Sequence, residues 1–236
     1  MSAGSPAPQA PPPITSVAEV IARMEATGAA LPAGDGLACF NRMYLGVTRQ
    51  VNSGLGQGFF AGPAFMTQLD VTFASLYFAA ADATGGPAAV PLAWRPLVEV
   101  RAEPGIEPIQ FALAGMNAHI NHDLPLAMVS TCAALGTSPQ ASPHFADYQK
   151  VDQLLDAAEQ SIRQSFESAP ELAVDHHLTA VNNLIASWTI NSARDLAWNN
   201  CLLLWQVRDD PIARALLADS LAGSAALASR LLLVAV

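Results

Sequence analysis

Charge is scarce in this sequence. Charged residues make up 13% of its 236 positions, about half of the usual quarter, and lysine occurs only at Lys150. Eleven Lys and Arg stand against twenty Asp and Glu, a formal net charge of -9. Nucleic acids and anionic membrane surfaces are bound through basic footprints, so neither is an expected partner. Cysteine is sparse too. Cys39, Cys132 and Cys201 are odd in number, far apart, and form no CxxC pair. That pattern argues against a disulfide framework and a thiolate zinc site, and for buried thiols in a reducing compartment. No uninterrupted apolar run approaches the ~18 residues of a membrane span, and the terminal LLLVAV is preceded by Arg230 and Asp219. The opening MSAGSPAPQAPPPITS lacks both an early cationic region and an apolar run, so it does not read as a secretory signal. The expected location is the cytoplasm. Strand-like alternation is missing. So are a GxGxxG opening a helix, a Walker loop, a GxSxG elbow and an HExxH pair. The glycine-rich NSGLGQGFFAG has neither the lysine nor the preceding strand of a phosphate loop.

What is abundant is apolar surface, at 52% of the chain, enough for a large core. Residues 1–14 read as a disordered Pro/Ala-rich tail, and residues 15–236 as one all-α domain, a bundle of about seven to eight helices. Ser16 and Glu19 form a capping-box pattern before a helix over 17–27. Leu37, Phe40, Tyr44, Val47 and Val51 mark one face of a helix over 35–52, and a loop is expected over 53–62. Further helices are expected over 64–82, 108–123, 126–135, 145–168 and 192–208. Two more should start at the capping Asp175 and at Pro211. Residues 83–107 read as a long ordered loop with at most one short helical or extended piece, a kind of segment that often carries function.

The stretch QFALAGMNAHINHDLPL, Gln110–Leu126, is apolar on every side and should lie at the centre of the bundle. It nevertheless carries Asn117, His119, Asn121, His122 and Asp123. Residues four apart share a helix face, which pairs His119 with Asp123 and Asn117 with Asn121. A buried carboxylate needs a partner, a metal or a proton. The His119–Asp123 pair reads either as an internal hydrogen bond, as an acid–base dyad, or as two ligands of one ion. Asp70 intrudes on the apolar face of Met66, Phe73 and Tyr77, and reads either as a structural carboxylate bonded to Tyr77, an Arg or a backbone group, or as a third group that meets His119 and Asp123. Arg194 precedes Trp198, Cys201 and Trp205 on a stripe and is expected as counter-ion to Asp70 or Asp123, or as a clamp for an anionic group. Tyr77, Trp198, Asn117 and Asn121 are candidate substrate contacts. His144, His176 and His177 are peripheral candidates, while Tyr44 and Trp94 read as packing.

The blocks MYLGVT, LDVTFASLYF, FALAGMNAHINHDLPL and RDLAW together resemble an actinobacterial domain-of-unknown-function family, number 5995, over about residues 37–208. That resemblance implies the helical fold and the central place of the Gln110–Leu126 helix. It carries no activity, and within it the position of His122 is variable. His119, Asp123, Pro125 and Leu126 are also similar to part of the His-x-x-x-Asp and Pro-Leu-His pattern of the zinc-dependent phospholipase C and nuclease fold. The His following Leu126 and the N-terminal Trp ligand of that pattern are missing. This second likeness implies at most one divalent metal, zinc, held by His119, Asp123 and Asp70; otherwise no cofactor is expected.

Three functions follow as expectations. The first is an enzyme of bacterial specialised metabolism acting on an apolar small molecule in a pocket between helices. Asp70, His119 and Asp123 would supply acid–base groups for cyclisation, isomerisation or elimination. The second is a metal-dependent ester or phosphoester hydrolase at the same residues. The third is a non-catalytic ligand carrier or interaction module.

Overall fold

The computed structural model describes the backbone of residues 13–167 and 190–235, and side chains over 13–155 and 190–235. Every regular element among the described residues is helical. In chain order they are α1 Val17–Ala30, α2 Gly36–Gly56, α3 Pro63–Ala81, a 3₁₀ turn Pro87–Ala89, α4 Arg95–Val100, α5 Pro108–Ala118, a π-turn His119–Asp123, α6 Leu124–Ala134, α7 His144–Glu167, α8 Ile190–Gln206 and α9 Pro211–Leu232. The helix expected from Asp175, with His176 and His177, and the Pro/Ala-rich stretch through Pro12 lie outside the described residues.

Local signals place these elements. Ser16 accepts from the Glu19 amide at 3.3 Å while the Glu19 carboxylate accepts from the Ser16 amide at 3.0 Å, so the capping box at α1 forms. Asp35 caps α2 by accepting from the Leu37 amide at 2.8 Å, and its other oxygen accepts from Arg101 Nε at 2.6 Å. Helix α2 runs on through Ser53 and Gly54 into the expected loop, because Val51 and Gly54 stay buried and keep its apolar face intact. Asp147, at the start of α7, accepts from the amides of Ala61 and Gly62 at 3.0 and 2.6 Å. That fixes the entry to α3.

Helices α5 and α6 and the π-turn between them form one rod through the middle of the molecule. Every residue from Gln110 to Ala118 is buried. Helix α5 packs against α2 and α9, and α6 packs against α3 and α8. The sequence predicts a kink or restart at Pro125; the structure puts a π-turn directly before it. Pro125 has no amide hydrogen to give the carbonyl of Asn121, and its ring would crowd that carbonyl. The widened turn relieves the conflict, and the Leu124 amide bonds back to the carbonyl of His119, five residues away. Helix α2 approaches the rod closely at Gly115, where a Cβ would sit 2.5 Å from the Phe40 ring.

The end of the chain is tied to this rod. Gln110 Nε2 donates to the carbonyls of Leu232 and Val234 at 2.8 and 2.9 Å. Asn117 Nδ2 donates to the Ala225 carbonyl at 2.7 Å and to Ser229 Oγ at 2.9 Å. Helix α9 is long and apolar enough to cross a membrane by length and composition, with a mean hydropathy of 1.3. Arg214, Asp219 and Arg230 punctuate it, so it contains no uninterrupted apolar run of that length.

Candidate functional site

His119, in the π-turn, is 2% exposed and stands among five aromatic rings. Phe73 stacks on the imidazole with centroids 3.5 Å apart and planes 6° from parallel. Tyr44 meets it edge-on at 4.5 Å, and Phe40, Trp94 and Tyr77 complete the enclosure. The ring is held from one side only. Its Nδ1 lies 2.9 Å from Asp123 Oδ2, and its Nε2 is buried without a partner.

Asp123 anchors that ring. Its Oδ2 also accepts from Trp94 Nε1 at 2.8 Å, and its Oδ1 lies 2.7 Å from His122 Nδ1. Burial alone would raise the pKa of this carboxyl. The hydrogen bonds from His119 and His122 outweigh burial and hold it below the ordinary carboxylate value. An ionised Asp123 only accepts, so each imidazole offers it an N–H. Burial pulls the pKa of His119 down, and the bonded carboxylate only partly offsets that pull. At neutral pH His119 is therefore neutral, protonated on Nδ1, with its lone pair on Nε2.

His119 belongs to the wall of a cavity of about 90 Å³ between α2, α3, the rod, α7 and α8. Most of that wall is apolar: Phe40, Met43, Met66, Leu69, Phe73 and Met116 are part of it. Its polar members are Tyr44, Asp70, His119, Tyr148 and Arg194. Asp70 is 8% exposed, and its Oδ2 has no hydrogen-bond partner. Burial, with no cation to oppose it, pushes the Asp70 pKa up to about 7. The Tyr44 hydroxyl is likewise buried and unpartnered. Its pKa is driven well up by burial, then by the charges of Asp70 and Asp123, so it stays a donor.

Several expectations need correction against this geometry. Arg194 lines the same cavity but is not the counter-ion of Asp70 or Asp123. Its Nε bonds Asp152 Oδ1, its Nη2 donates to the Tyr148 carbonyl at 2.6 Å, and its guanidinium lies 4.0 Å over the Tyr148 ring. Asp70 and Asp123 do not converge on one point: Asp123 stands behind His119, away from the cavity wall. Asn117 is a fastener for α9, and Asn121 donates to Asn117 Oδ1 at 2.8 Å while its own Oδ1 is buried without a partner. Tyr77 donates to Asn41 Oδ1 at 3.0 Å, and Trp198 packs on Phe145 and Tyr148. None of these four lines the cavity. His144 stacks on Phe65 and bonds the Ser138 carbonyl, away from the site. Conversely, Trp94 and Tyr44, read from the sequence as packing, are part of the site. A Trp in a Pro-flanked segment carried that signal, because a buried indole N–H needs an acceptor.

His119, Asp123 and Asp70 do not fit the zinc set expected of them. Both Asp123 oxygens are engaged by Trp94, His119 and His122, which leaves too few free donors. Among the described residues no group of three His, Cys, Asp or Glu side chains is placed to hold a metal ion.

The chain matches the family of unknown function DUF5995 over residues 17–235 and belongs to it. No curated protein and no solved structure matches it.

Proposed function

We propose that this member of the family is a small-molecule enzyme whose general base is His119 Nε2, working on an apolar substrate in the inter-helix cavity. The reaction class is proton transfer at carbon, as in isomerisation, elimination or cyclisation. One observation carries the reading: a neutral imidazole, anchored through Nδ1 on an ionised carboxylate, lines an apolar cavity and has an unpartnered Nε2. An orphaned buried nitrogen costs stability, roughly 1–3 kcal/mol, and a substrate proton would satisfy it. The π-turn beneath it adds support, since such turns concentrate at functional sites. The tie to Asp123 fixes both tautomer and ring orientation, as a base needs.

A generic substrate tests this without knowledge of the natural one. In 5-nitrobenzisoxazole a base removes the ring C–H proton, the electron pair forms the nitrile, and the N–O bond breaks to give a coloured phenolate. The wild-type protein should accelerate this over buffer, and His119→Ala should lose about 100-fold or more of that rate, the usual share of a positioned base. Asp123→Asn should lose nearly as much through a misoriented ring. Equal rates in wild type and His119→Ala refute the assignment. Saturable binding without turnover would mark a carrier instead.

A further inference from the structure

Three residues of the cavity wall each carry a buried polar atom without a partner: Tyr44 Oη, Asp70 Oδ2 and His119 Nε2. The residues that bear them are each more than nine-tenths buried. Buried polar groups are paired in the great majority of cases, so three orphans on one small cavity describe what is meant to enter it. His119 Nε2 is an acceptor for a proton. Tyr44 is a donor. Asp70, half protonated near pH 7 because burial raises it, is a second donor. The complement is a molecule with one oxygen that accepts two hydrogen bonds and a weakly acidic C–H beside it. Among the described residues the one cation on the wall, Arg194, is already held by Asp152 and the Tyr148 carbonyl, so no described side chain there awaits a negative charge.

We propose that the cavity takes an uncharged, apolar carbonyl compound, whose oxygen is held by Tyr44 Oη and the Asp70 carboxyl while His119 Nε2 removes a proton from the adjacent carbon. This rests on His119 acting as a base, as argued above. In the step, the C–H bond breaks, its electron pair forms the carbon–carbon double bond, and the carbonyl pair moves onto oxygen, where the two donors stabilise it. In a β,γ-unsaturated carbonyl compound, return of the same proton from His119 to the γ-carbon completes a 1,3-shift with no co-reactant; in a saturated one the proton returns to the α-carbon. Donors aimed at an oxygen that gains charge in a dry site are among the largest contributors to such reactions. A neutral carboxylic acid beside a tyrosine is a known way to supply them, as in ketosteroid isomerase. The free volume of about 90 Å³ is less than the roughly 150 Å³ that admits benzene. Met43, Met66 and Met116, unbranched and readily rotated, are the wall that yields to a larger body.

The test is hydrogen–deuterium exchange at the α-carbons of cyclohexanone in D₂O, followed by NMR on the full chain and set beside the 5-nitrobenzisoxazole rates. Wild type should exchange cyclohexanone faster than buffer, and His119→Ala should not. Tyr44→Phe should lose about 100-fold, the usual effect of removing one such donor. Asp70→Leu should lose a similar factor, whereas Asp70→Asn, which keeps an N–H donor, should stay within about tenfold of wild type. Should Asp70→Leu fail to fold, the contrast between Asp70→Asn and Tyr44→Phe still decides. Benzisoxazole turnover that depends on His119, without ketone exchange above buffer, overturns the carbonyl assignment and leaves the base standing. So does ketone exchange that ignores Tyr44→Phe, or that collapses in Asp70→Asn as it does in Asp70→Leu. If neither probe reacts, both the base and the carbonyl assignment fall.

Discussion

Replacing Asp70 by Asn should make this protein more stable, and increasingly so as pH rises. Asp70 is buried, has an unpartnered oxygen, and titrates near 7 in the fold against an ordinary value of 3.8. Between those two values the folded protein holds a proton that the unfolded chain has released. Stability therefore falls as pH climbs through that window, and the deficit is complete above the folded pKa. At 1.36 kcal/mol per pH unit the full cost is about 4 kcal/mol. Between about pH 5.5 and 8 the part still to be lost is about 2 kcal/mol. Asn does not titrate, so the stability difference between variant and wild type should widen by that amount over the same range. The fixed cost of burying the amide cancels in the comparison between pH values. Urea denaturation followed by far-UV circular dichroism at several pH values measures it. A difference that stays constant with pH would refute the elevated pKa, and with it the donor role of Asp70. A group that lowers stability at working pH yet sits on a cavity wall is the pattern expected of function held at the expense of stability.

Arg194→Met should destabilise the fold by breaking its contacts with Asp152 and the Tyr148 carbonyl. Adding Asp70→Asn should then be additive within about 0.5 kcal/mol, and any larger recovery of stability would show that Arg194 does compensate Asp70. Trp94→Phe removes a hydrogen bond to a charged carboxylate and should cost about 2 kcal/mol in chemical denaturation; a neutral effect would mean that Asp123 does not depend on the indole. Gly115→Ala puts a methyl 2.5 Å from the Phe40 ring and 2.7 Å from its Cβ, and overpacking of this kind costs about 1–3 kcal/mol. Its melting temperature should fall by several degrees, at about 2–4 °C per kcal/mol for a chain of this size. A melt within one degree of wild type would show that Phe40 moves aside freely.

The central rod is legible in the sequence because Gln110–Leu126 is apolar all round, and only a helix surrounded by others tolerates that. The pairing of His119 with Asp123 is legible too, from spacing alone, although the bond is made across a π-turn that no periodicity announces. That Asp70 faces inward follows from Met66, Phe73 and Tyr77 on its own helix. Which buried polar group meets which is a different matter. Asp152 reaches Arg194 from another helix, 42 residues earlier in the chain. Asn117 reaches Ala225 from 108 residues away. Such pairings depend on how whole helices are rotated against one another, and a pattern along one helix holds no record of its neighbour's rotation. Tyr44 shows the same limit. It sits in the apolar stripe of α2 like any core residue, and only the position of His119 across the gap gives its hydroxyl a role.

A helix turns about 100° with each residue. The extra residue held between His119 and Leu124 therefore offsets the azimuth of everything after it by about that angle. The first half of the rod is thus phased to meet α2 and α9, and the second half to meet α3 and α8. One continuous segment serves two differently oriented sets of neighbours, with the imidazole at the point where the phase slips. Were the same residues wound as an unbroken α-helix with none removed, α6 would present the wrong side to α3 and α8. Asp123 would swing away from the Trp94 indole with it.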